Sequence, residues 1–208
     1  PDPTDAAWTD PNQVVGEDGP GGIAQMPTSG FDTSSALIQR IGGADFLFIA
    51  ARNGRVYSIE MAGRGDMNLT LRKPGTTRRI WSYPNDYPAV SIPSNLGAFA
   101  GSLSFADTNA GPTIFVPASQ GRLYALSATP GPNKTTSIRW QFPLANQPTI
   151  GSIQTSPVIQ VTGAGTGNVI FGTSVNDNRP EAVGELYSLD INSGAVNWLF
   201  DGSPASGS

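Results

Sequence analysis

The stretch GELYSLDINSGAVNWLF, residues 184–200, combines a glycine, an alternating run, a short turn and a tryptophan. Alternation of apolar and polar residues is typical of half-buried strands, because successive side chains of a strand point to opposite faces. The turn residues Asn192, Ser193 and Gly194 predict a hairpin into a second strand that contains Trp198. Residues 184–200 therefore predict two adjacent antiparallel strands.

The same order of parts occurs in two earlier segments, GRLYALSATPGPNKTTSIRWQF at residues 121–142 and GRVYSIE followed by RRIWSYP within residues 54–84. Each copy has a glycine, a tyrosine three residues later and a closing tryptophan. The equivalent positions are Gly54, Gly121 and Gly184, then Tyr57, Tyr124 and Tyr187, then Trp81, Trp140 and Trp198. An apolar run precedes each glycine, and a segment of small residues precedes that run. Each copy therefore holds four predicted strands.

Four short antiparallel strands per copy, repeated about every 60 residues, are typical of β-propeller blades. The segment AAWTDPN around Trp8 is similar to the closing strand IWSYPN around Trp81, so we interpret it as the outer strand of a preceding blade. The sequence predicts an all-β, partial β-propeller that occupies the whole chain as one segment. The outer strand is expected at residues 1–10, and the complete four-stranded antiparallel blades at residues 34–84, 101–143 and 155–201.

The copies resemble the quinoprotein-type propeller repeat, also called the pyrroloquinoline-quinone-like repeat. That repeat begins with Gly, and Tyr follows after two further residues. Ala or Ser, then Leu and Asp, come next, and a turn glycine and Trp complete the repeat. Residues 184–198 match this order closely, residues 121–140 match it well, and residues 54–81 are a degenerate copy. The resemblance extends over nearly the whole chain from Ser34 and implies a ring of seven or eight blades. We therefore expect further blades from the same or another chain, with each tryptophan docked between neighbouring blades.

The amino-acid composition excludes several kinds of functional site. The 208 residues include no Cys and no His, which excludes disulfides, thiol nucleophiles, histidine triads and most zinc or copper sites. The longest apolar run, Phe46 to Ala51, is far shorter than a membrane span, so none is predicted. Sparse charge and abundant Gly, Pro, Ser and Thr favour a periplasmic, cell-surface or extracellular protein. The opening PDPTDAAW lacks Met and an apolar signal region, which predicts a processed form or a piece of a longer protein.

Quinone-dependent dehydrogenases with this repeat lead us to look for a catalytic Asp, a calcium-binding Glu and Asn, and a vicinal Cys pair. No segment of this chain supplies these residues by motif, so we expect no catalytic residue and no cofactor. The loop SVNDNRPE does contain oxygen ligands of the type that calcium prefers, although turn capping is the favoured interpretation. These weak metal candidates are Asn176, Asp177, Asn178 and Glu181.

Charge is distributed unevenly between the two faces of the predicted ring. Connections between first and second strands and between third and fourth strands share one face, and that face is mainly basic, whereas the other is mainly acidic. A formal net charge of −4 argues against nucleic acid as a partner. The basic loop between residues 64 and 79 is a candidate protein contact. Its candidate residues are Arg64, Arg72, Lys73, Arg78 and Arg79.

The sequence thus predicts a non-catalytic scaffold or protein-interaction module in a bacterial envelope or extracellular assembly. Similar propellers serve the bacterial outer-membrane assembly machinery, which is what the resemblance implies rather than what the spacing shows. One alternative is a fragment of a quinone-dependent dehydrogenase whose other blades hold the site. Another is a glycan-binding propeller that uses the long loops at residues 9–34 and 84–100.

Overall fold

The computed structural model describes residues 35–51, 54–61, 79–84, 96–131, 135–174 and 184–201. These residues form strands and no helix, so none of them forms a helix that could cross a bilayer. The strands are β1 (Leu37–Ile41), β2 (Ala44–Ala51), β3 (Arg55–Glu60), β4 (Arg79–Tyr83), β5 (Ser104–Thr108), β6 (Gly111–Ala118), β7 (Arg122–Ser127), β8 (Ile138–Phe142), β9 (Val158–Gly163), β10 (Thr166–Gly172), β11 (Glu185–Asp190) and β12 (Val196–Asp201).

The strands form three sheets, each of four antiparallel strands in chain order. We call them the first blade (β1–β4), the second blade (β5–β8) and the third blade (β9–β12). Within each blade, every strand pairs with the next one along the chain, as hairpin connections require. The predicted all-β partial propeller with three four-stranded antiparallel blades is therefore confirmed. The predicted outer strand at residues 1–10, with Trp8, lies outside the described residues.

The three blades share one register. The tyrosine of each repeat, the third residue of β3, β7 or β11, lies opposite Ile49, Val116 or Phe171 of the preceding strand. Each closing tryptophan lies opposite a small residue, and a register shift follows that residue in all three blades. These pairs are Trp81 with Ser58, Trp140 with Ala125 and Trp198 with Ser188.

The core consists of two layers, one between each pair of neighbouring blades. Strand β6 shows how one strand contributes side chains to both layers. Ile114 and Val116 pack in the layer toward the first blade, whereas Phe115, between them in sequence, packs in the layer toward the third. The middle blade is thus covered on both faces. Every residue of β12 in the third blade is exposed.

Candidate functional site

The junctions between blades are the best-defined sites of the described chain, and each contains a tryptophan. The Trp81 indole N–H of the first blade donates to the carbonyl of Ala128 in the second blade, at 3.4 Å. The Trp140 N–H of the second blade donates to the carbonyl of Ile191 in the third, at 3.0 Å. Both rings are nearly fully buried. Burying an indole with its N–H satisfied combines apolar contact with a directional bond, so each tryptophan fixes two blades together.

The two acceptors occupy equivalent places, and a third residue shares that place. Ala128 and Ile191 each directly follow the third strand of their blade, and each backbone N–H donates to a carbonyl at the start of the second strand. Met61 follows β3 in the same way, and its N–H donates to the carbonyl of Asp45 at 2.9 Å. The carbonyl of Met61 is therefore the acceptor position of the first blade. The sequence predicted no role for Met61, because the group that occupies this position is a backbone carbonyl.

A second set of bonds links the blades along the segments that precede their first strands. The backbone N–H of Ser35 donates to Oγ of Ser102, and the N–H of Ser102 donates to Oγ of Ser156, both at 2.9 Å. One serine per blade thus binds the next serine along the stack. Because a serine hydroxyl can accept from a backbone N–H, these small residues connect the blades without lengthening the strands.

The repeat glycine supports the connection to the next blade. The carbonyl of Gly54 accepts from the N–H of Leu96 at 2.7 Å, and that of Gly121 accepts from Ile150 at 3.2 Å. Both glycines have a positive φ, +79° and +76°. A Cβ on Gly121 would lie 2.0 Å from the carbonyl oxygen of Ile150. Only glycine allows this approach.

The third blade presents an open face, because no described strand follows β12. Trp198 is 43% exposed, whereas Trp81 and Trp140 at the equivalent positions are 0% and 8% exposed. Other apolar side chains of the same face are exposed too: Val158, Leu186 and Phe200. A contiguous group of large exposed apolar side chains is typical of a surface that another protein covers.

The first blade also exposes apolar side chains on the face away from the second blade, although Tyr57 on that face is only 7% exposed. Met61 is 44% exposed, while Ala128 and Ile191 at its equivalent positions are each 1% exposed. Ile38 of β1, equivalent to the half-buried Phe105 of β5, is also exposed on this face. The described stack therefore ends in a donor-type face at the third blade and an acceptor-type face at the first.

Two arginines of the second blade donate hydrogen bonds to oxygen atoms of their own blade and its connections. Arg122 donates to the carbonyls of Pro143, Leu144 and Gln147, each at 2.8 Å, and so holds the connection that leaves β8. Arg139 donates to the hydroxyls of Thr108 and Thr113 and to the carbonyl of Gly111, at 2.7 to 2.9 Å. Burial lowers the pKa of Arg139 from its usual value.

Two tyrosines meet across the first junction. The rings of Tyr83 and Tyr124 are 6.4 Å apart between centroids. Burial, and secondarily the neighbouring Tyr124, raises the pKa of Tyr83 to about 12. Burial also raises the pKa of Tyr124, partly offset by Arg122. At the second junction Phe142 takes the position of Tyr83 and contacts Tyr187, with centroids 5.3 Å apart.

Several predicted site residues cannot be placed. The calcium candidates Asn176, Asp177, Asn178 and Glu181 lie outside the described residues, as do Arg64, Arg72, Lys73 and Arg78 of the basic loop. Of the basic candidates, Arg79 is the first residue of β4, where its backbone pairs with Ile59. Gly184 directly precedes β11. Within the described ranges, no three Asp or Glu side chains come together as a metal site would require.

The blades and their repeated tryptophan junctions define a partial β-propeller. Solved structures similar to the chain include BamB from Moraxella catarrhalis, with 21% identity, a TM-score of 0.41 and coverage of 81% of this chain and 38% of that one. They also include a europium-containing methanol dehydrogenase, with 19% identity, a TM-score of 0.43 and coverage of 82% and 26%. A third is quinohemoprotein alcohol dehydrogenase from Comamonas testosteroni, with 18% identity, a TM-score of 0.42 and coverage of 82% and 22%.

These three structures are quinoprotein-type propellers, the class that the repeat resembles. No protein-family model matches the chain. No curated protein matches it either. The chain spans less than half the length of each of the three similar structures. At these identities the similarity concerns the fold alone and transfers no activity.

Proposed function

We propose that this chain is a non-catalytic scaffold, a section of a propeller that joins a larger assembly in a bacterial envelope or outside the cell. The open face of the third blade carries the proposal. It displays Trp198 and Phe200 at positions where the other two blades bury an aromatic ring against a neighbour. Leaving large apolar side chains in water is unfavourable, so this face is suited to protein contact.

The way the described polar groups are used also supports a structural role. Arg122 and Arg139 donate to carbonyl and hydroxyl oxygens of their own blade and its connections. Asp190 accepts from the backbone N–H groups of Asn192 and Ser193 and thereby closes the turn before β12. These side chains stabilise connections and blade edges. A scaffold needs a rigid arrangement of this kind to present its surfaces.

Site-specific photo-crosslinking in the native cell tests the proposal. A benzophenone amino acid at position 200, on the open face, is expected to give a defined protein adduct. The same amino acid at position 145 is the matched control, because Ala145 is exposed in the connection after β8 and belongs to neither open face. Equal yields at both positions, or no adduct at position 200, would refute a contact role for this face.

A titration with pyrroloquinoline quinone and calcium distinguishes the scaffold from a dehydrogenase fragment. A scaffold is expected to bind no quinone, so dialysis should remove the quinone absorbance from the protein sample. A stoichiometric bound chromophore would instead favour the dehydrogenase interpretation. A glycan array separates the third interpretation, since reproducible binding of one glycan class would favour a glycan-binding propeller.

The basic loop is proposed as a second contact surface, on the strength of its charge. Changing all of Arg72, Lys73, Arg78 and Arg79 to Glu is expected to weaken assembly, and the effect should fall as salt concentration rises because salt screens exposed charges. Unchanged assembly in this variant would remove the loop from the proposal.

A further inference from the structure

We propose that the open face of the third blade docks on a blade of a partner protein built from the same propeller repeat, and that a row of three amides selects this partner. The amide row consists of Gln160, Asn168 and Asn197. This inference rests on the proposed scaffold function, because it names the kind of protein that the open face contacts. The two junctions within the chain show what such a face binds, and the amide row marks where the open face differs from them.

The hydrogen-bonding groups that join blades within the chain recur on the third blade. At both junctions an indole N–H donates to the carbonyl that follows a third strand, and Trp198 supplies the indole at the same register. The first two repeat glycines each accept a backbone N–H from the connection to the next blade, and Gly184, the third, is exposed. The Ser102 N–H donates to the hydroxyl of Ser156, and Ser156 is itself exposed at the end of the series. A matching partner therefore presents a carbonyl, a backbone N–H and a hydroxyl in the arrangement of a blade.

The aromatic contacts within the chain indicate a fourth group on the partner. Phe200 occupies the register of Tyr83 and Phe142. Those two rings contact the repeat tyrosines of the next blade, Tyr124 and Tyr187, with centroids 6.4 and 5.3 Å apart. The covering blade is therefore expected to place an aromatic ring against Phe200. Four different groups at fixed spacing are a stricter requirement than an apolar surface alone, and a blade of the same repeat provides all four.

The amide row crosses the open face from the first strand of the third blade to its fourth. The Asn168 side-chain N–H donates to Oε1 of Gln160 at 2.8 Å, and the Asn197 side-chain N–H donates to Oδ1 of Asn168 at 2.9 Å. The row thus ends in an amide NH2 group at Gln160 and a carbonyl oxygen at Asn197, and both residues are exposed. A partner that covers the row has to supply an acceptor at one end and a donor at the other, because burying a polar group without a partner is unfavourable.

The equivalent positions of the other two blades carry different groups. Asn168 is equivalent to Phe46 of the first blade and Thr113 of the second. Phe46 packs against the apolar layer of the first junction, whereas Thr113 accepts a hydrogen bond from Arg139 of its own blade. Asn197 is equivalent to Arg139, since each lies at the register shift of its fourth strand. The amide row is therefore particular to the open face, and it distinguishes the partner blade from the blades of this chain.

Mapping of photo-crosslinks in the native cell tests the partner. A benzophenone amino acid at position 200 is expected to attach to an aromatic residue three positions after a glycine, in a propeller repeat of another protein. At position 158 it is expected to attach just before a first strand of the same blade. The reason is that Ser104, the equivalent of Val158, contacts the carbonyl of Pro157 directly before β9. Tandem mass spectrometry of the two adducts identifies the attached residues.

The position of the adduct separates this inference from the scaffold function. Attachment to a helix, to a protein without propeller repeats, to this same chain or to a second copy of it would overturn the proposed partner. A defined adduct to any other protein through position 200 would still support the scaffold function. The absence of an adduct at position 200 would overturn both.

Variants at the two ends of the amide row test its selectivity. Gln160→Leu and Asn197→Leu are each expected to lower the adduct yield at position 200 by about 10-fold, because a partner group then loses its hydrogen bond on burial. Asn146→Leu is the matched control, since Asn146 is an exposed amide in the connection after β8 and lies outside the open face. Circular dichroism of the purified variants verifies that they fold. A yield that rises in both row variants would indicate an apolar partner surface and would overturn the proposal, as would a yield that equals that of the control.

Discussion

The indole nitrogen of Trp140 lies 3.0 Å from the carbonyl oxygen of Ile191, and this hydrogen bond joins the second blade to the third. Both groups are buried, so water cannot replace either partner when the other is lost. The bond therefore contributes to stability in addition to the apolar contact of the ring.

We expect Trp140→Phe to lower the free energy of unfolding by about 2 kcal/mol, because a buried carbonyl loses its donor and part of the ring contact disappears. Urea denaturation followed by circular dichroism measures this change. Trp198→Phe is the matched control, and we expect a loss of less than about 0.5 kcal/mol at that exposed position. Equal losses in both variants would show that the hydrogen bond to Ile191 has no special role.

Gly194 lies directly against the indole ring of Trp140. Its φ is +71°, and an added Cβ would lie 2.6 Å from Cε3 of Trp140. We expect Gly194→Ala to cost about 3 kcal/mol, since a left-handed conformation costs an L-residue about 1 kcal/mol and overpacking adds about 2 kcal/mol. Gly42 has a φ of +58°, and no atom lies within 4 Å of a Cβ added there. The control variant Gly42→Ala should therefore show the conformational cost alone. Urea midpoints of the two variants provide the comparison, and similar values would contradict the packing argument.

The repeat pattern made the number of blades predictable. A glycine, a tyrosine three residues on and a distant tryptophan recur because each blade must bury the same faces against its neighbours. The period of two in YSLD and YALS also placed the third strands correctly. Tyr57, Tyr124 and Tyr187 are each the third residue of such a strand.

The sequence did not indicate at which residue the first strand of each blade begins. The small-residue segments around Ser102 and Ser156 suggest strand, yet β5 and β9 begin two residues after these serines. The serines instead bind one another between blades, as the Ser102 N–H and the Ser156 hydroxyl show. The acceptor role of Met61 was also hidden, because a backbone carbonyl leaves no trace in side-chain chemistry. Contacts between repeats depend on how blades stack, which local patterns do not encode.

Alkaline pH should destabilise the first junction through Tyr83. Burial raises the pKa of this phenol from its ordinary value of 10.0 to about 12. Because the folded-state pKa is above the unfolded one, the stabilising contribution is fully present below pH 10 and is lost as pH rises through 12. We expect the thermal midpoint to fall over this interval, and to fall less in Tyr83→Phe. Absorbance of the phenolate at alkaline pH provides an independent check, since the variant should lack one late-titrating group. A Tyr83 phenol that titrates near the ordinary value of 10.0 would contradict the prediction.

Ser58 should be replaceable by alanine with a gain in stability. Its Oγ is buried and has no hydrogen-bond partner, and the equivalent residue of the second blade is Ala125. Because an unsatisfied buried hydroxyl loses its bonds to water on folding, we expect Ser58→Ala to raise the free energy of unfolding by about 1 kcal/mol. The reciprocal variant Ala125→Ser introduces the same group beneath Trp140 and should lower it by a similar amount. Chemical denaturation of both variants tests the pair. A loss of stability in Ser58→Ala would reveal that the hydroxyl has a partner in solution.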